Sequence, residues 1–168
     1  MILELHNETL VITAYEQLLG LYIDGQQQSL TNGDIWNLSD YIHLQPNNRL
    51  IAVEASNLGD PLCRGILASV YDGSLLTNSK WKCTLNIEAN WTALGFNDSS
   101  WPNAVEYGRN GNHRYCNQDQ TIGNISSNSK WIWTSNAGYV VVFCRGYLRE
   151  CHFYNGQTDI NRVINLFI

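Results

Sequence analysis

"KWIWTSNAGYVVVFCRG", residues 130–146, sets two strand-like runs on either side of a polar turn. The first, Lys130 to Trp133, holds two tryptophans around an isoleucine. The second, Val140 to Phe143, is uninterruptedly apolar and β-branched, as a strand entering a sandwich core should be. The stretch lies near the C-terminal end, where a domain has little left to build. It therefore reads as the strand that completes a sheet begun far earlier, either its own or that of a neighbouring copy by strand exchange. On this reading Trp131 and Trp133 seal core, and Cys144 is placed to bridge an earlier strand.

The rest of the chain carries the same β signal. Leu10 to Tyr15 and Leu19 to Ile23 are short β-branched or aromatic runs, and Asp24-Gly25 stops the second. "DYIHLQPNNRLIAVEAS" (40–56) reads as two paired strands joined at Pro46-Asn47-Asn48, with "RLIAVEA" apolar on both faces as a central strand should be. "GILASVY" (65–71) ends at Asp72-Gly73, "KWKCTL" (80–85) follows, and "GRNGN" (108–112) is a turn. Residues 14–21 have a faint helical look, which Gly20 and the flanking strands argue against. No stretch keeps a 3.6-residue apolar period over three turns. The echo between "NSKWKC" (78–83) and "NSKWIW" (128–133) is too short to define a repeat and reads as two similar strand entries. Short strands separated by Gly, Asn and Asp turns predict an all-β antiparallel sandwich or jelly roll in one domain.

Composition narrows the function classes. Of 168 residues 44% are hydrophobic, enough for one sizeable core. Only 15% are charged, with 10 basic against 15 acidic residues and a net charge of −5. No basic run appears in the sequence, which argues against nucleic acid as a partner. No apolar run reaches the length of a membrane span, and "MILELHNETL" lacks the pattern of a signal peptide. Five sequons, at Asn7, Asn37, Asn90, Asn97 and Asn124, point to the secretory route and to exposed loops. Of the five cysteines none forms a CxxC pair, so zinc is not indicated. Cys63, Cys83, Cys116 and Cys144 are disulfide candidates with connectivity open; buried free thiols are the other reading. Cys151 is left over as a free or intermolecular thiol.

Catalytic constellations are missing. There is no G-x-S-x-G elbow; His6, His43, His113 and His152 are scattered, and no H-E-x-x-H occurs. Most acids lie beside turn glycines, as Asp24 and Asp72 do, or in loops. The chain is therefore expected not to be an enzyme and to require no cofactor. "DGQQQSLTNGD" (24–34) is dense in oxygen donors, which makes Asp24 and Asp34 candidates for a structural calcium, against a loop that bonds only to itself. Aromatic residues are 11% of the chain, with six tryptophans. Trp36, Trp91 and Trp101 lie in Asn-, Asp- and Ser-rich loops, where an indole face can stack on a sugar ring. They are the candidate glycan contacts, while Trp81, Trp131 and Trp133 begin strands and belong to core.

In order along the chain, "LYIDG" (21–25), "NRLIAVEASN" (48–57), "NSKWKC" and "WTALGFNDSSWPNA" (91–104) resemble galactose-binding-like jelly-roll modules, the accessory domains of rhamnosidases and other glycosidases. The resemblance covers about residues 10–148. It implies a non-catalytic β-sandwich with a role in carbohydrate binding, adhesion or assembly, and supplies no ligand residues. In those modules a WIW-type strand opens the domain, whereas here it closes it. Residues 149–168 fall outside the resemblance, and their apolar "VINLFI" is expected to pack on its own core or on a neighbouring subunit. Two functions follow: an extracellular glycan-binding or adhesive module, or a glycosylated structural subunit of an extracellular filament or coat. The expected partners are glycans or other copies of the chain.

Overall fold

A computed structural model describes residues 8–149 apart from 60, 61, 115, 117, 118, 137 and 139. Among the described residues there are eleven strands and no helix: β1 (Thr9–Ala14), β2 (Gln17–Ile23), β3 (Gln26–Gln27), β4 (Asp40–His43), β5 (Leu50–Asn57), β6 (Ile66–Val70), β7 (Lys82–Thr84), β8 (Val105–Arg109), β9 (Asn112–His113), β10 (Lys130–Trp133) and β11 (Val140–Tyr147). They form two antiparallel sheets, in the orders β4-β1-β6-β10-β8-β9 and β3-β2-β5-β11-β7, packed as a sandwich. The all-β expectation holds.

Two strand assignments differ from the sequence reading. Residues 40–56 do form two strands, but not a hairpin: β4 pairs with β1 and β5 with β2 and β11, in different sheets. The link through Pro46 crosses between layers instead of folding back. Residues 130–146 are likewise divided. β10 sits between β6 and β8 in one sheet, β11 between β5 and β7 in the other. The late segment thus enters both sheets of its own chain.

The reason lies in burial on both faces. β5 (LIAVEASN) and β11 (VVVFCRGY) are buried almost throughout and pair over eight residues, from Val140↔Asn57 to Tyr147↔Leu50. On one face of their sheet Leu21, Ile23, Ile51, Val53, Ala55, Val142 and Cys144 join the six-stranded sheet's Leu10, Ile12, Ile66 and Ile132 in a single core. On the other face Ala52 and Phe143 pack with Trp91 and Trp101 in a second cluster. At the end of β2, Asp24 and Gly25 both take positive φ (47° and 86°). This is the backbone of a tight primed turn, which Asp-Gly adopts readily.

Two disulfides brace the sandwich. Cys83–Cys144 joins β7 to β11 at directly opposed positions with Cα atoms 4.2 Å apart. The Cys83 amide donates outward to the Pro102 carbonyl at 3.0 Å, as in a closely spaced, non-hydrogen-bonded cross-strand pair. Cys63–Cys116 ties the loop after β5 to the segment after β9. All four candidate cysteines are paired; Cys151, the remaining tail and Asn7 lie outside the described residues.

Candidate functional site

Two of the three loop tryptophans offer no open ring face. Trp91 and Trp101 are only 6% and 4% exposed. Trp91 packs edge-on against Phe143 (5.2 Å between centroids) and Tyr22 (5.7 Å) and stacks with Trp101 at 6.4 Å. The indole N–H of Trp101 donates to Glu88 at 2.8 Å. Their hydrophobic area covers the outer face of β5 and β11, which would otherwise lie in water. Trp36 is half-buried, stacked on Tyr15 at 5.2 Å. For Trp91 and Trp101 the loops are themselves the outer layer of the sandwich, whereas Trp36 packs with Tyr15 against the main core.

One buried cation organises that layer. Arg145, in β11, is fully buried. Its Nε donates to Asp98 at 2.8 Å, Nη1 to the carbonyls of Trp91 and Ala93 (3.1 Å for the latter), and Nη2 to the Phe96 carbonyl at 3.4 Å and the Tyr147 hydroxyl at 2.7 Å. The Tyr147 hydroxyl in turn donates to Asp98 at 2.8 Å. Burial raises the Tyr147 pKa, so that hydroxyl keeps its proton. A planar guanidinium with five donors is suited to this fork. The arrangement holds residues 91–98 onto the sheet and is structural.

The proposed calcium ligands do not come together. Asp24 accepts from the backbone N–H of Leu50 at 2.8 Å and from the Asn48 amide at 2.9 Å. Asp34 accepts from Gln17 at 3.1 Å, at the opposite end of β2. Seven residues of strand separate those ends, about 20 Å. Among the described residues no group of three His, Cys, Asp or Glu side chains could hold a metal. Four of the sequon asparagines, Asn37, Asn90, Asn97 and Asn124, are exposed.

A cleft that the sequence did not disclose lies on the β8–β9 edge. It has a volume of about 310 Å³ and is lined by Glu106, Gly108, Arg109, Asn112, Arg114 and Lys130. Lys130 stands directly opposite Arg109 across β10 and β8, and Arg109 opposite Asn112 across β8 and β9. Arg114 follows β9, its amide bonded to the Tyr107 carbonyl at 2.7 Å. Asn110, buried at the hairpin turn, accepts from the Ile122 amide at 2.8 Å and donates to the carbonyls of Ile122 (3.0 Å) and Ile125 (2.8 Å), which fixes the hairpin against the 121–126 loop. Gly108 has φ 132°, and a Cβ there would strike the Asn112 carbonyl. Behind the hairpin, His113 is buried among Tyr15, Tyr107 and Trp131, with Nε2 at 2.8 Å from the Arg64 carbonyl. Burial lowers its pKa; the hydrogen bond to Arg64 opposes this and the Arg64 charge adds to it. The cations are scattered along the chain at 109, 114 and 130, and only the strand register joins them. "GRNGNHR" did mark the turn.

No family model matches the chain, and no curated protein or solved structure matches it.

Proposed function

We propose that this chain is a non-catalytic, secreted recognition module that binds glycan through the β8–β9 cleft. The observation that carries this reading is the cleft itself. It is an open, polar recess on a braced hairpin, rimmed by the exposed side chains of Arg109, Asn112 and Arg114. Its volume is at the lower end of the ~300–1,000 Å³ of small-molecule sites, the scale of one or two sugar rings. The resemblance to galactose-binding-like modules supports a carbohydrate ligand, with polar contacts in place of indole stacking. Two disulfides are compatible with a secreted protein, and among the described residues no helix is long and apolar enough to cross a membrane. Glycoside hydrolysis calls for two carboxylates about 5–10 Å apart, whereas the lining has one, Glu106. The structural-subunit alternative rests on the low charge, the odd cysteine Cys151, the apolar C-terminal tail and the late segment 130–146; of these, only the late segment is placed by the fold, within the chain's own sheets.

A glycan array probed with the full chain tests the reading. Binding to a defined set of glycans, weakened at least tenfold by Asn112→Ala together with Arg114→Ala, is expected. Absence of binding to every glycan would refute it.

A further inference from the structure

We propose that the β8–β9 cleft is an oxyanion site, which selects the sulfate or carboxylate group of an acidic glycan over a neutral one; this rests on the glycan-binding reading above. Three of the chain's ten basic residues converge on this one recess, in a protein whose net charge is −5. Lys130 and Arg109 occupy directly opposed cross-strand positions. Like charges in that relation destabilise a sheet, and an alternative residue at either position would relieve the repulsion. Among the described residues none of the three cations is ion-paired to a carboxylate. The cleft's single acid, Glu106, accepts the Ser79 backbone N–H at 2.8 Å, so it is engaged by a separate loop. With the charge of Glu106 counted, three cations against one carboxylate leave the lining at net +2, which focuses positive potential into the recess. Arg109 and Arg114 supply planar forks for a sulfate or carboxylate, and Lys130, on β10 beside Arg109, a point charge.

The hairpin's construction argues for a preformed site. Asn110 and Gly111 (φ 82°) shape the turn, and the three Asn110 side-chain bonds hold it against residues 122 and 125. Gly108 permits the close approach of the two strands. The cations are thus presented from a fixed backbone, and only their side chains have to be ordered when a ligand arrives.

The test is calorimetric titration of the full chain with five probes: a sulfated oligosaccharide, a uronate oligosaccharide, the neutral counterpart of the same length, inorganic sulfate, and a single-stranded oligonucleotide. The expected result is that at least one acidic oligosaccharide binds tenfold or more tightly than the neutral one and weakens steeply with added salt. Arg109→Gln, Arg114→Gln and Lys130→Gln should each weaken it severalfold and the triple variant should abolish the preference, with melting temperature as the control for folding. Lys130→Arg, which retains the charge, should bind like the wild type. Equal affinity for neutral and acidic oligosaccharides would overturn the oxyanion site while leaving the glycan reading intact. Inorganic sulfate binding as tightly as the oligosaccharide would uphold the oxyanion site and overturn the glycan reading. Tighter binding to a single-stranded oligonucleotide than to any glycan, or binding to none of the probes, would overturn both.

Discussion

At Arg145 a full positive charge lies in the middle of an apolar strand, and the surrounding geometry shows why this is tolerated. Its guanidinium meets one carboxylate, three carbonyls and one hydroxyl, so its donors find acceptors within the protein. Removing one side of a buried pair leaves the other without compensation, at about 3–5 kcal/mol. Arg145→Met should therefore lower the unfolding free energy in urea by that order. Asp98→Asn, which retains an acceptor oxygen for Arg145 and Tyr147, should cost less. A loss below about 1 kcal/mol for Arg145→Met would contradict a holding role for this residue. His113 illustrates the opposite case, a titratable group buried in its neutral form. Its folded pKa lies below the ordinary value, chiefly through burial. Below about pH 6.5 the unfolded chain therefore binds the additional proton and the folded chain does not. Stability should fall as the pH drops from there, and level off once the pH is below the folded pKa. The groups around the ring are Arg64, Tyr107, Tyr15 and Trp131, none of which changes charge in that window. Urea melts at pH 8 and pH 5 should show a smaller difference for His113→Gln than for the wild type; an identical difference would mean that the ring contributes nothing to acid sensitivity.

At the level of elements, packing on both faces of β11 is the tightest constraint. A Cβ on Gly146 would run into the Trp81 indole, itself 2% exposed and anchored by its N–H to the Leu76 carbonyl at 3.0 Å. Neither the paired strand nor the buried ring can retreat cheaply, so Gly146→Ala should cost about 1–3 kcal/mol. A melting temperature unchanged from the wild type would show that the ring can move aside. The strands themselves were legible because β-branched runs of β1, β5, β6 and β11 are separated by turn residues whose backbone needs are specific, as at Asp24-Gly25. Their partners were less legible. "DYIHLQPNNRLIAVEAS" looks like a hairpin because local spacing favours one, but β5 is buried on both faces and is drawn between β2 and β11. The loop tryptophans misled for a related reason: polar neighbours suggest exposure, while the outer face of β5 and β11 demands apolar cover. The cationic cleft could not be read at all, since its cations lie up to 21 positions apart (109 to 130) and meet only through register.

For the whole molecule, the sequons and the cleft divide the surface between them. Asn90 and Asn97 lie on the loop that covers the outer face of the five-stranded sheet, beside Trp91 and Trp101. Asn37 follows Trp36, whose carbonyl accepts from the Thr13 hydroxyl of β1 at 2.8 Å. Asn124 donates to the Tyr41 hydroxyl of β4 at 2.8 Å. Asn37 therefore stands toward the β4 side of the six-stranded sheet, whereas the cleft stands at its other edge, formed by β8 and β9; Asn124 sits in the 121–126 loop, which reaches from Asn110 at the hairpin to Tyr41. None of the four asparagines lines the cleft. Glycans attached at these positions would shield the loop-covered faces and leave the basic recess open. Secreted from a eukaryotic cell, the protein should lose mass in steps on glycosidase treatment, and peptide mapping should place sugar on some or all of Asn37, Asn90, Asn97 and Asn124. The trimmed and untrimmed forms should bind an acidic oligosaccharide with the same affinity, within about twofold. A gain on trimming would mean that attached sugar reaches the cleft. A loss would mean that the attached sugar takes part in recognition, contrary to this division of the surface.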